Sequence, residues 1–393
     1  MVKPKGQTSV LILSTISMII SFAVWSVFSS IATEIQKIYH LTILEKSLLI
    51  ATPVLLGSIM RVPMGILTDR YGGRRIYALT MLLLVFPMVG AGFAHSYIML
   101  LFWAFFIGMA GTVFAVSIAY VSRWFPLERQ GFILGIAGMG NLGSAVASFF
   151  IPFIFSPYGL QWVFWSFALV IGIMAFIFWV GTKDGQRPSE SKTFKESLSV
   201  LKFKETWFLS TFYCLTFGGF VTFSVYLPTL LSDIYNMTSV EAGINTAGFV
   251  LFATFIRPVG GYMSDQFGAK RLLTFVFGGV FVAGLFLAFT LDYFTLFSIG
   301  CMVIAILVGI GNGAVFKMVP EVSSENMGAV TGIVGAVGGI GGFFPPIIIG
   351  FTKDLTGTYF LSFALLSIFS LICLILNLRV GNKKHVSFST KSA

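Results

Sequence analysis

Twelve stretches of about 20 apolar residues, nearly free of charge, set the solvent for this chain: it is lipid. The runs fall at 9–32, 47–68, 76–94, 97–122, 131–155, 160–181, 207–231, 241–263, 272–291, 294–317, 328–351 and 357–380. Each is long enough for a helix to cross the hydrocarbon core. Only 10% of the 393 residues are charged, where a water-soluble domain carries roughly a quarter. Mean hydropathy is +0.93. The 42 glycines fit helices whose backbones pack closely in a membrane. The first run is too long for the apolar region of a signal peptide and has no cleavage site after it, so it is expected to stay as the first span.

One connection is long. The polar stretch 182–206 divides the spans six and six. The expected units are therefore a six-helix bundle over 1–181, a central loop over 182–206, a second bundle over 207–380 and a tail over 381–393. The net charge of +10 could suggest nucleic acid, but the positions of the charges exclude it. Of 25 Lys and Arg, only Lys37, Lys46 and Lys353 fall in segments on one side of the membrane, and only Arg61, Arg257 and Lys317 fall within spans. All the others cluster on the opposite side, with both termini and the central loop. By the positive-inside rule that side is the cytoplasm.

The chain repeats itself. RVPMGILTDRYGGRR (61–75) lies over RPVGGYMSDQFGAKR (257–271) at a constant offset of 196. GFILGIAG (131–138) lies over GAVTGIVG (328–335) at 197. Two matches at nearly one offset make the halves a parallel repeat, with a pseudo-two-fold axis along the membrane normal.

That axis brings Arg61 and Arg257 face to face near the middle of the bilayer. A charge there costs about 2.5–3.5 kcal/mol even on the lenient insertion scale, and no Asp or Glu lies deep in any span. Two guanidinium groups without a buried carboxylate are an unpaired positive site, and a mobile anion is the simplest partner. The N–H fork of guanidinium meets two coplanar oxygens at once, which suits a flat oxyanion. Near the cytoplasmic end of its span, Lys317 is expected to snorkel to the interface, or else to add positive potential to the exit path. Glu34, near the outer end of the first span, is expected at the interface. Asn141 and Asn312 stand in Gly-rich settings, where an amide can serve packing or a substrate path.

Several of these segments carry a resemblance. Gly65, Asp69, Arg70, Gly72, Arg74 and Arg75, with the weaker copy Gly261, Asp265, Gly268, Lys270 and Arg271, resemble the cytoplasmic loop motif of the major facilitator superfamily. There a carboxylate can sit at a neighbouring helix N-terminus and the basic residues can pair with it or with loop acids, holding the cytoplasmic side shut. The Gly-rich stretches GIAGMGNLGSAVASFFIP (135–152) and GIVGAVGGIGGFFPP (332–346) are similar to the paired signatures of the nitrate/nitrite porter family within that superfamily. So are the R-x-P-x-G of 61–65, IRPVGG (256–261) and GNGAVFKMVP (311–320).

The resemblance implies an all-α integral membrane protein with the major facilitator fold: twelve transmembrane helices in two six-helix bundles around a central cavity. It makes Arg61 and Arg257 the substrate clamp and places Phe114, Tyr213 and Phe217 as rings about a flat anion. Asn141, Asn312, Gly138 and Gly335 complete the candidate site. The implied activity is movement of nitrate and nitrite across a bacterial plasma membrane by alternating access. Nitrate uptake in exchange for nitrite stands first, with proton symport as the alternative and an anion sensor as a remoter one. The expected partners are the anion and the bilayer, with the chain acting as a monomer. No phosphate-binding loop, metal-ligand spacing or catalytic cluster is present, so neither a cofactor nor an enzyme is expected. The cysteines Cys214, Cys301 and Cys373 lie in apolar runs and read as packing residues.

Overall fold

The computed structural model describes residues 6–126, 129–184, 196, 198–323 and 326–380. Residues 185–195 and 197 of the central loop, the tail 381–393 and the basic residues Lys3 and Lys5 lie outside the described residues. Among those described, eleven continuous helical stretches are long and apolar enough to cross a membrane. One of them, Gln130–Gly181, is 52 residues long and holds two spans. Gly159, at φ 79° and ψ −179°, breaks it with a conformation that only glycine adopts freely. The spans therefore number twelve, numbered here in chain order, with the fifth and sixth divided at Gly159.

The first span departs from its apolar run. Helix Gln7–Trp25 stops at Ser26, and two short helices, Val27–Ser30 and Ala32–Tyr39, follow it. Serine hydroxyls cluster at the break. Ser29 and Ser30 donate their hydroxyls to the Ser26 carbonyl, and the Ser26 hydroxyl donates to Ser144 Oγ. Such local bonds compete with the helical ladder. The run 9–32 is thus not one helix, and Glu34 sits in the outer short helix within electrostatic reach of Lys46.

The second and eighth spans begin alike. Thr42 and Thr238 each close a capping box with Glu45 and Glu241, three residues on. Both spans end in a glycine of positive φ, Gly72 at 94° and Gly268 at 87°. The two halves meet where backbones nearly touch. A Cβ on Gly65 would lie 2.2 Å from the Gly328 carbonyl, and one on Gly261 would lie 2.2 Å from the Gly131 carbonyl. No larger residue fits at these crossings, which explains the glycines shared by the two repeats.

The halves are not identical at mid-membrane. The second span is interrupted at Met60, just before Arg61. The fourth passes through a 3-10 turn at Gly108–Thr112 and the fifth through another at Gly138–Asn141. Their counterparts Ser239–Phe267, Phe294–Val322 and Met327–Thr356 are unbroken α-helices.

Candidate functional site: two buried arginines and a cytoplasmic latch

The irregular turns and the Gly-rich helices converge on Arg61 and Arg257. Among the described residues these are the largest fully buried side chains, 0% and 1% exposed. Arg61 is anchored. Its Nε donates to the Gly111 carbonyl at 3.0 Å, within the 3-10 turn of the fourth span, and its Nη1 donates to the Gly335 carbonyl of the opposite half at 2.6 Å. Its Nη2 has no partner. Arg257 has none for Nε, Nη1 or Nη2. Buried polar groups nearly always find partners, so four unsatisfied N–H-bearing nitrogens on two cations are a strong chemical signal. They form an acceptor-seeking surface aimed at a negative group.

Aromatic rings enclose it. Phe114 lies under both guanidinium groups, with ring-centroid distances of 5.2 Å to Arg61 Cζ and 5.4 Å to Arg257 Cζ. Its negative π-face partly offsets the two charges. Tyr213 and Phe217 stack on each other at 4.9 Å and 7° between planes, and both lie nearly parallel to Phe114. Phe217 also lies 4.9 Å from Arg61 Cζ. The Tyr213 hydroxyl sits close to Arg257 without completing a hydrogen bond. All these groups are sealed from solvent. The expected set of Arg61, Arg257, Phe114, Tyr213 and Phe217 is therefore brought together.

Gly138 and Gly335 join the set as spacers. A Cβ on Gly138 would lie 2.3 Å from Arg257 Nε, and one on Gly335 would lie 3.2 Å from Arg61 Cδ. Asn141, one helical turn beyond Gly138, and Asn312 are buried, each with its side-chain carbonyl oxygen unpartnered. Sequence reasoning missed Phe316. Its ring meets Phe114 and Tyr213 edge-on at 5.1 and 4.7 Å and lies 5.7 Å from Arg257 Cζ. The signal was available: GTVFAV (111–116) and GAVFKM (313–318) repeat the same Val-Phe pair in equivalent spans.

The cytoplasmic motif splits into two parts. Its carboxylates bridge the halves. Asp69 Oδ2 accepts the Gly328 N–H at 2.9 Å, at the start of the eleventh span, while Asp69 Oδ1 pairs with Arg123. Asp265 Oδ2 accepts the Phe132 N–H at 3.1 Å, at the start of the fifth span, while Lys317 Nζ lies 2.9 Å from Asp265 Oδ1. Each carboxylate thus caps a helix N-terminus of the other half, where the dipole favours negative charge.

The basic residues of the motif do not pair with Asp69; of the two expected partners it is a loop acid that is met, where the Arg74 backbone N–H donates to Asp184 Oδ1 at 3.0 Å. The Gly72 turn carries the basic residues past the latch toward the sixth span. Arg74 donates to the Trp179 carbonyl from Nε at 3.0 Å and stacks on its ring at 4.1 Å. Arg70 lies over the Tyr71 ring, and Arg75 and Arg271 are exposed. Lys270 is half-buried, and its backbone carbonyl accepts a hydrogen bond from Asn377. The Lys317 side chain is 18% exposed and reaches Asp265 of the cytoplasmic motif.

The comparisons with known proteins agree with this architecture. The human organic anion transporter MFSD10 (TETRAN) superposes with a TM-score of 0.78 over 94% of this chain and 99% of its own, at 12% identity, which is a likeness of fold. The nitrite extrusion protein of Bacillus subtilis is 36% identical over 355 residues, 90% of each chain. The probable nitrate transporter NarT of Staphylococcus haemolyticus is 37% identical over 379 residues, 95% of this chain and 97% of its own. The description "Major Facilitator Superfamily" matches residues 14–346 and 209–392. Together with relatives so similar over nearly its whole length, this match makes the chain a multi-pass membrane transporter, not an enzyme, and it belongs to the nitrate/nitrite porters of the major facilitator superfamily.

Proposed function

We propose that this chain carries nitrate and nitrite across the bacterial cell membrane by alternating access, taking up nitrate in exchange for nitrite. One observation carries the reading: a fully buried Arg257 whose three side-chain nitrogens lack partners, facing an equally buried Arg61 with one free nitrogen. A planar oxyanion supplies the missing acceptors, and its flat faces suit stacked rings. The printed names of the relatives point to the same substrates.

In this reading Arg257 and Arg61 hold the anion, Phe114, Tyr213 and Phe217 flank it, and the Asn141 and Asn312 amides line its path. Gly138 and Gly335 keep room for the guanidinium groups. The moving bodies are residues 1–181 and 207–380, with both termini cytoplasmic. Asp69 and Asp265 latch the cytoplasmic side and release it when the halves rock apart.

Charge balance favours exchange. Bringing one anion inward against the membrane potential costs about 2.3 kcal/mol per 100 mV, and swapping nitrate for nitrite moves no net charge. No Asp or Glu is fully buried among the described residues, so the centre offers no carboxylate to carry a proton. Between the arginines, the anion also relieves their mutual repulsion. That favours reorientation of the loaded carrier over the unloaded one.

Proteoliposomes loaded with nitrite and given labelled nitrate outside at equal pH test the reading. Nitrate influx that requires internal nitrite is expected. Influx that instead follows an imposed pH gradient replaces exchange with proton symport. No nitrate movement under either condition refutes the substrate.

A further inference from the structure

Lys317 stands beside two structures at once. Its ammonium holds Asp265, whose other oxygen binds the Phe132 N–H of the opposite half, so the pair sits on the latch. The preceding residue, Phe316, is 1% exposed and forms the edge-on wall of the anion site. Both belong to the unbroken helix Phe294–Val322. Neighbours on one α-helix are rigidly tied, about 1.5 Å apart along the axis. The other half has no such link. The counterpart wall, Phe114, and the counterpart cation, Arg123, are nine positions apart, about 13 Å along a helix.

The wall must also yield to an anion. An oxyanion needs about 2.8 Å to a guanidinium nitrogen and about 3.5 Å to a ring surface. Arg257 Cζ lies only 5.4 and 5.7 Å from the Phe114 and Phe316 centroids, too little for an oxygen between them.

Building on the anion reading above, we propose that Lys317 is a positioning residue that reports occupancy of the site to the cytoplasmic latch: an anion drawn to Arg257 displaces Phe316, and Phe316 carries Lys317 away from Asp265. The carboxylate then loses its charge partner, and its bond to the Phe132 N–H weakens. Occupancy thereby opens the latch from the C-terminal half first.

The test uses the full chain in lipid nanodiscs, with the three native cysteines replaced by alanine. Spin labels go on Tyr71→Cys and Phe267→Cys, which are exposed, repeat-equivalent positions at the cytoplasmic ends of the second and eighth spans. Electron–electron distance distributions are recorded with and without saturating nitrate. In the parent, nitrate is expected to shift the distribution. In Lys317→Met the shift should vanish while nitrate affinity stays within about threefold, and transport kcat should fall about tenfold at nearly constant KM. Lys317→Arg should restore the shift, and Phe316→Leu should reduce it with Lys317 in place.

An undiminished shift in Lys317→Met overturns the coupling alone. If that variant does not fold, an undiminished shift in Phe316→Leu overturns it instead. A parent that binds no nitrate overturns the anion reading, and this proposal with it.

Discussion

Arg61 and Arg257 occupy the same place in two copies of one sequence and are equally buried, yet their surroundings differ. Arg61 spends its Nε and Nη1 on the Gly111 and Gly335 carbonyls, whereas Arg257 spends none of its nitrogens. The difference comes from the backbone. In the N-terminal half a 3-10 turn brings the Gly111 carbonyl to Arg61. In the C-terminal half the equivalent span is continuous helix, with its carbonyls engaged in its own ladder. A duplicated sequence has thereby acquired one arginine held by backbone carbonyls and one with no hydrogen-bond partner. Arg61 also ties the halves together through Gly335, a bond that separation of the halves must break.

The largest test of that contrast replaces each arginine by lysine, which keeps the charge and loses the fork. Two charge-assisted hydrogen bonds at about 1.5–3 kcal/mol each are at stake for Arg257, so Arg257→Lys should weaken nitrate binding about a hundredfold or more. Arg61 offers the anion one free nitrogen, and Arg61→Lys should cost about tenfold. Titration of purified protein by tryptophan fluorescence reads both. Equal losses would mean that the two arginines serve the anion alike, and that the bonds of Arg61 to Gly111 and Gly335 give way on binding.

A smaller effect sharpens the same contrast through the helices opposite each arginine. Alanine at Gly138 would place its Cβ 2.3 Å from Arg257 Nε, while alanine at Gly335 meets Arg61 Cδ at 3.2 Å and Phe114 at 3.6 Å. The first forces the Arg257 guanidinium to move, and the second asks for a few tenths of an ångström. Overpacking at about 1–3 kcal/mol predicts that Gly138→Ala lowers nitrate affinity about tenfold. Gly335→Ala should stay within about threefold, because its contacts fall short of a clash. A reversed order would show that Arg61 is the less tolerant arginine.

Much of this was legible in the sequence because it rests on length, charge and repetition. Span positions follow from apolar runs, and the pairing of Arg61 with Arg257 follows from the constant offset. What stayed hidden depends on backbone detail. Both runs that contain 3-10 turns read as plain apolar helix, since glycine and alanine suit either geometry. The hydroxyl bonds at the Ser26 break run to one backbone carbonyl and to Ser144, 118 positions away. Arg123 and Lys317 hold the two motif carboxylates, while the Gly72 turn sends the Arg74 side chain to Trp179 and its backbone N–H to Asp184. Phe316 was visible as a repeated Val-Phe pair, but a phenylalanine is a weak signal among 44.

The smallest effect asks whether symmetric features behave symmetrically where no asymmetry is seen. Thr42 and Thr238 cap the second and eighth spans with the same bonds. The carboxylate of Glu45 accepts the Thr42 N–H at 2.8 Å and that of Glu241 accepts the Thr238 N–H at 2.9 Å. Each hydroxyl in turn accepts the glutamate N–H, at 3.2 and 3.3 Å. Thr42→Ala and Thr238→Ala should each lower the melting temperature by a few degrees at neutral pH, and by the same amount. Acid separates the cap from the hydroxyl itself. The Thr42 backbone N–H, and after it the Thr42 hydroxyl, hold the Glu45 carboxyl below its ordinary value of 4.5. A carboxyl with a depressed native value stabilises fully above its unfolded value and loses that contribution as pH falls through the native one. The penalty of Thr42→Ala should therefore be constant from neutral pH down to about 5 and shrink in part below 4.5, because protonation removes only the hydroxyl-to-carboxylate bond, whereas the bond from the Glu45 N–H to the Thr42 hydroxyl persists. Thermal melts in detergent across this range measure it. Equal penalties for the two caps would confine the asymmetry of the halves to the level of the arginines. Unequal ones would extend it to the outer ends of the spans, and the 3-10 turns would no longer suffice as its cause.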